Sequence, residues 1–241
     1  MNATVRPTPA LPGTRCRRRV YLMRHGDVCY FDAEGRPLDP RTVPLTAEGR
    51  KQADAGCALL ADVRFDLAIC SGLTRTRETA QRVLGLRKLP LHEEPRLKEV
   101  RGGRFAAIAP QDRERLIGYA YETARDPDGR FIGGEAWTDF ATRVLEAWND
   151  IVARDDWHSL LLVAHDGVNR MLMSHIVGAG LAGLSAFEQD PACLNMIELD
   201  VSQGVVHRAY LRAVNIAPYD LVRDGRHDMV MERIHRAYAA Y

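Results

Sequence analysis

Cysteine is scarce in this chain. Five residues in 241 (Cys16, Cys29, Cys57, Cys70, Cys193) are scattered, odd in number and never in CxxC spacing. That excludes a disulfide scaffold and a thiolate cage, and suits reduced packing thiols in a cytoplasmic protein. No run of 18 apolar residues exists, so no membrane-spanning helix is expected. The first 18 residues carry Pro7, Pro9, Pro12 and a basic run from Arg15 to Arg19, without the apolar centre of a signal peptide. Residues 1–17 are therefore expected to form a flexible tail. An excess of either charge is missing too: 33 basic residues face 32 acidic ones, for a net +1. This balance argues against nucleic acid or a membrane surface as partner, and any anion site must be a local cluster. HxxxH, HExxH and carboxylate clusters are absent, so no metal and no cofactor is expected. Gly102-Gly103 and Gly133-Gly134 do not fit GxxxxGK[ST] and suit turns or a lid instead.

What is present is an ordinary globular composition, 46% apolar and 27% charged. Val20–Met23, Asp66–Cys70 and Ser159–Ala164 are short apolar runs that predict buried strands. A shorter strand is expected at Leu89–Leu91, and a late pair at Leu194–Leu199 and Val205–Ala213. Thr46 suits a helix cap, with the helix continuing through Leu60. Further helices are expected over Leu73–Leu84, Pro110–Ala124, Ala136–Arg154, Val168–Val177 and Met229–Tyr238. The Ala136–Arg154 helix is the clearest, because Trp137, Phe140, Val144, Trp148 and Ile151 recur at helical spacing. Apolar strands alternating with amphipathic helices predict an α/β fold: a doubly wound, mostly parallel but mixed sheet with helices on both faces. Residues 18–241 read as one domain, with a lid-like insertion at about 95–135.

Three strand ends share one pattern. Arg24-His25-Gly26, Ser71-Gly72-Leu73-Thr74-Arg75 and His165-Asp166-Gly167 each follow an apolar run immediately. Ligands of open α/β sheets bind outside the carboxyl ends of the strands. The topology would thus bring two arginines and two histidines to one edge, beside helix starts that supply free N–H donors. Such a pocket suits a phosphoryl group: arginine offers planar forks to its oxygens, and a neutral histidine is a competent nucleophile.

Beyond these residues, the chain resembles the histidine phosphatase superfamily, the phosphoglycerate-mutase-like fold. Leu22-Met23-Arg24-His25-Gly26-Asp27 is similar to the opening L-x-R-H-G-E/D. Pro44-Leu45-Thr46 with Gly49, Gln52 and Ala53 resembles P-L-T-x-x-G-x-x-Q-A. Ser71 to Arg75 with Thr79-Ala80 resembles S-P-L-x-R-x-x-x-T-A, and Leu97-Lys98-Glu99 with Gly103 resembles L-x-E-x-x-x-G. Gly133-Gly134-Glu135 followed by Arg143 resembles the G-G-E-S segment. Val163 to Arg170 resembles V-x-H-G-G-x-x-R.

The resemblance implies a metal-independent phosphatase acting on a small phosphorylated metabolite. His25 would take the phosphoryl group as phosphohistidine. Arg24, Arg75 and His165 would hold its oxygens, with Asp166 at the rim of the phosphate-binding residues. Glu99 would protonate the leaving oxygen and later deprotonate water. There are departures from the pattern. Gly72 stands in place of proline, and Asp166 in place of the second glycine. Phe31 stands about where many members carry asparagine, so the Asp27–Phe31 loop is expected to line an apolar subsite. Arg101-Gly102-Gly103-Arg104 lacks the E-R-H-Y-G of cofactor-dependent mutases, which favours hydrolysis. Two alternatives stay open: a mutase using the same intermediate, and an idle module that binds phosphorylated ligands. A homodimer is also left open. Of the basic residues near the insertion (Arg101, Arg104, Arg113, Arg115), one or two are expected to meet a second anionic group of the substrate.

Overall fold

The three apolar runs become the adjacent central strands of a six-stranded sheet. In the computed structural model, which describes residues 17–239 except 33, 35, 37 and 224–226, strands β1 (Arg17–Arg24), β2 (Leu67–Cys70), β3 (Leu91–Glu93), β4 (Ser159–Ala164), β5 (Leu194–Ser202) and β6 (Val205–Ile216) are ordered β3-β2-β4-β1-β5-β6. The first four in that order run parallel, while β5 and β6 are antiparallel to their neighbours. A strand sandwiched between helix layers must be apolar on both faces. Leu160, Leu161, Leu162, Val163 and Ala164 accordingly have no exposed surface. The expected α/β fold is the one observed: mixed, mostly parallel, and covered on both faces.

Alternate strand residues feed two apolar layers. Leu22, Leu160 and Leu162 pack with α3 (Trp137–Ala153) and α4 (Asp166–Ile176). Tyr21, Met23, Leu161 and Val163 pack with α2 (Thr74–Leu84), and Gly56 of α1 (Ala47–Leu59) meets Met23. Thr46 caps α1, its hydroxyl accepting from Gly49 N at 2.9 Å. Substituting such a cap by alanine costs about 1 kcal/mol. The β5–β6 turn places Gln203 and Gly204 at positive φ, as tight hairpins require.

Several boundaries differ from expectation, among them that of the short strand expected at Leu89–Leu91, which lies at Leu91–Glu93. Residues 1–16 of the expected tail lie outside the described residues, but Arg17 already belongs to β1, where it pairs with Asp200. The single helix expected over Pro110–Ala124 is instead a chain of short turns: Pro110–Asp112, Glu114–Gly118 and Ala120–Arg125. Ile117, Ala120, Tyr121 and Ala124 keep a helical spacing of buried residues. Gly118 in their midst lends little helix propensity and abuts His235 of α5 (Val230–Ala239). Tertiary packing therefore sets the path. Among the described residues, no helix is long and apolar enough to cross a membrane.

Candidate active site

Because β2, β4 and β1 are neighbours, their carboxyl ends bring Ser71, His165 and Arg24-His25 side by side. Gly26 is required by close approach: a Cβ there would stand 2.4 Å from the Gly49 carbonyl oxygen. That contact locks the turn after His25 onto α1. Gly26 N also donates to Thr79 Oγ1, and Asp27 N to Gln52 Oε1. The P-L-T…Q and T-A segments thus act as supports of the His25 loop.

The imidazoles have defined tautomers. His25 Nδ1 donates to Gly26 O at 2.7 Å, which leaves Nε2 with its lone pair. His165 accepts at Nδ1 from an Arg75 Nη at 3.3 Å and donates from Nε2 to Ser71 Oγ at 2.7 Å. The Ser71 hydroxyl donates in turn to Thr76 Oγ1, whose hydroxyl donates to Leu73 O. The two rings meet edge to face at 5.3 Å. His25 is 2% exposed and His165 0%. Burial, then the charges of Arg75 and Arg24, hold the pKa of His25 well below the ordinary histidine value. Burial, Arg75, His25 and Arg24 do the same for His165. Both rings are neutral at physiological pH, the form a nucleophile needs.

Arg24 donates to Gln189 O at 2.6 Å, and Arg75 donates to Pro40 O. Each guanidinium also keeps a buried Nε–H with no partner. An unmet buried donor costs about 1–3 kcal/mol. Two of them beside a neutral imidazole form a cradle for an anion.

Glu99 lies within electrostatic reach of Arg24 and Arg75, on an irregular segment that regular structure does not hold. Arg143 of α3 does this instead, donating to Arg96 O, Lys98 O and Glu99 O, while Glu135 neutralises it with bonds of 2.8 and 2.9 Å. This is the structural content of the Gly133-Gly134-Glu135…Arg143 segment. Glu99 Oε1 accepts from Val100 N and Gly167 N. Burial and then the charge of Asp166 push its pKa up to about 7, against Val100 N–H, Arg24 and Arg75. A carboxyl near 7 is suited to proton transfer in both directions.

The sequence-derived residues His25, Arg24, Arg75, His165 and Glu99 therefore converge. Asp166, expected among the phosphate-binding residues, is placed differently. Its Oδ1 accepts from Arg170 Nε within a buried ion pair, so its side chain offers no donor to phosphate. Several supporting residues were given no role from the sequence. Gln189 bonds to Asn169 and Asn195 behind Arg24. Arg170 lies over the Tyr121 ring and binds Glu188. The i,i+4 spacing of Asp166 and Arg170 was a usable signal for their pairing, whereas Gln189 and Tyr121 carried none. Arg101 pairs with Glu135 rather than facing solvent alone. Among the described residues, no group of three His, Cys, Asp or Glu side chains is arranged to hold a metal.

The profile of the histidine phosphatase superfamily (branch 1) matches residues 20–211. An adenosylcobalamin/α-ribazole phosphatase of Salmonella typhimurium is 30% identical over 183 residues, covering 75% of this chain and 90% of that protein. The crystal structure of the α-ribazole phosphatase from Shigella flexneri superposes with a TM-score of 0.65 at 30% identity, over 82% of this chain and 96% of that one. Mycobacterial glucosyl-3-phosphoglycerate phosphatase shares the fold, with a TM-score of 0.68 at 23% identity over 83% and 99% of the two chains. With this match spanning most of its length, the chain belongs to the histidine phosphatase superfamily, branch 1.

Proposed function

We propose that the protein hydrolyses small phosphomonoesters in two steps through a phosphohistidine on His25. The observation that carries this is the pair of buried, unpartnered guanidinium N–H groups of Arg24 and Arg75 beside an imidazole whose Nε2 is unprotonated. In the first step the Nε2 lone pair attacks phosphorus and the P–O bond to the alcohol breaks. The departing oxygen takes its proton from Glu99. In the second step Glu99, now a carboxylate, takes a proton from water. The water oxygen attacks phosphorus, the P–N bond breaks, and inorganic phosphate leaves. Arg24 and Arg75 hold the equatorial oxygens, where charge is redistributed in the transition state, while His165, expected among the phosphate-binding residues, gives its one N–H to Ser71 and orients the Arg75 guanidinium through Nδ1. The positive charge comes from side chains, so activity is expected to persist in excess chelator.

Two of the relatives are named α-ribazole phosphatases, so α-ribazole phosphate is the first substrate to offer. The test is rapid-quench trapping with a 32P-labelled ester. Acid-labile, base-stable label is expected on the wild type and absent from His25→Ala, whose turnover falls ~10⁴-fold or more. Label that survives in His25→Ala, or that maps to a cysteine, would sink the assignment.

A further inference from the structure

Asp166 is left without a task by the two-step scheme, although it is one of the most enclosed carboxylates of the molecule. Its Oδ1 is held by Arg170, while its Oδ2 is buried and has no hydrogen-bond partner. A buried carboxylate oxygen left bare costs free energy, so its retention calls for a reason. Arg170 does not cancel its charge. The same guanidinium also binds Glu188, whose other oxygen accepts from Val230 N at the start of α5. One cation thus serves two carboxylates, and the cluster keeps a net negative charge.

That cluster abuts Glu99. The residue after Asp166, Gly167, donates its N–H to Glu99 Oε1 at 3.1 Å. A Cβ on Gly167 would stand 2.7 Å from the same oxygen, so only glycine admits the carboxyl this close to the helix start. The charged and titratable groups around Glu99 come from every neighbouring element. Arg24 ends β1 and His25 follows it, Arg75 comes from α2, and His165 follows β4. Asp166 and Arg170 belong to α4, Tyr121 to the 95–135 segment, and Arg143 with Glu135 to the support behind its backbone. Arg24, Arg75 and the backbone N–H groups all draw the proton off Glu99. Burial opposes them first, and of the neighbouring charges it is Asp166 that adds to burial, Glu135 being bound to Arg143.

We propose that Asp166 is a positioning residue whose buried, incompletely neutralised charge keeps the transferable proton on Glu99 until the leaving group needs it. The proposal rests on the role given to Glu99 above. It explains how a pocket built from two arginines retains a protonated acid. It also accounts for Arg170: a lone buried carboxylate would be protonated itself, and one guanidinium shared by two acids stabilises the charge without erasing it.

The test is the pH dependence of kcat/KM for phenyl phosphate, from roughly pH 5 to 9, which brackets a carboxyl of this kind. Wild type, Glu99→Gln, Asp166→Asn and the double variant Asp166→Asn/Arg170→Gln are compared, each checked by thermal unfolding. The wild-type rate is expected to fall as pH rises through about 7. Glu99→Gln should lack that limb. Asp166→Asn should keep it but displaced toward acid by about one pH unit, because the anion that favoured the protonated form is gone. The double variant also removes the Arg170 charge, which draws the proton off Glu99 from farther away, so its limb should move in the same direction but by less than in the single variant. A limb unmoved in the folded Asp166 variants would overturn the proposal. So would its complete loss in Asp166→Asn, which would make Asp166 itself the donor. A limb retained in Glu99→Gln would instead remove the role assigned to Glu99, and the inference with it.

Discussion

The two sides of the proposed pocket are built on opposite principles. The phosphate side is made where regular elements begin and end: Arg24 at the end of β1 with His25 after it, Ser71 just after β2, Arg75 in the first turn of α2, and His165 between β4 and α4. It is cationic, its imidazoles are neutral, and its hydrogen bonds join residues that the strand order brings side by side. The leaving-group side is made of Glu99, Asp166, Arg170 and Tyr121, joined by an irregular segment and long-range side-chain bonds. It is acidic, and its key carboxyl is held near neutrality. The difference is instructive. Binding a phosphoryl group is the same task for any ester, and strand ends with helix starts supply it cheaply. Delivering a proton to a particular alcohol needs a carboxyl pushed far from its ordinary behaviour. That takes burial and a counter-charge, which only distant parts of the chain can bring.

Separating the two sides most sharply is Glu99→Gln. With phenyl phosphate, which needs a proton to leave well, kcat should fall by ~10²–10⁴. With p-nitrophenyl phosphate, phosphorylation of His25 should be nearly unaffected, while dephosphorylation slows and a burst appears in stopped flow. Equal slowing of phosphorylation for both esters would erase the proposed division. The same variant should be more resistant to unfolding than wild type above pH 7. A carboxyl raised from 4.5 to about 7 in the fold contributes stability that is fully present below 4.5 and lost as pH rises through 7. The advantage of glutamine should therefore fade on acidification.

Arg75→Met attacks the phosphate side and should cost ~10²–10³ in kcat with either ester. It also lifts a charge that depresses His25 and His165. Their pKa values should rise toward the ordinary one, so the acid limb of the pH–rate profile should move to higher pH. A variant whose acid limb stays in place would show that burial alone holds these rings neutral.

Arg143→Lys touches neither the phosphoryl group nor the leaving oxygen in the proposed scheme. A lysine cannot collect the Arg96, Lys98 and Glu99 carbonyls while binding Glu135 in a fork. The loss should be ~10-fold, and confined to esters that need a proton. Loss with p-nitrophenyl phosphate at the phosphorylation step would mean that the two sides are not independent. The smallest effect is expected at Thr46, which reaches the His25 loop only through Asp27. Thr46→Ala removes the cap of α1 and should lower stability by about 1 kcal/mol, or Tm by ~2–4 °C.

Much of the phosphate side was legible in the residues themselves. Apolar runs such as Leu160–Val163 mark strands buried on both faces, and polar residues placed directly after them have one place to go. The parallel sheet, the helices on its two faces and the convergence of His25, Arg24, Arg75 and His165 follow from local pattern plus the rule that ligands gather at strand ends. Helix boundaries were legible where caps and periodicity agreed, as at Thr46 and over Trp137–Ala153.

The other side was not legible in this way. Glu99 was named by its resemblance to a motif, not by any property of its own segment, whose 95–135 stretch has no strong period. The helix expected over Pro110–Ala124 broke into turns because packing against α5 outweighed weak intrinsic preference. Asp166 stood in the right place with the wrong task, since only the fold shows that Arg170 and Glu188 surround it. What sequence alone determined was the layered α/β architecture and the cationic cradle, because both arise from patterns a few residues long. What tertiary structure decided was the protonation state of the acid. Burial and Coulomb interactions act through space, and the groups that raise Glu99 to about 7 lie tens of residues away along the chain.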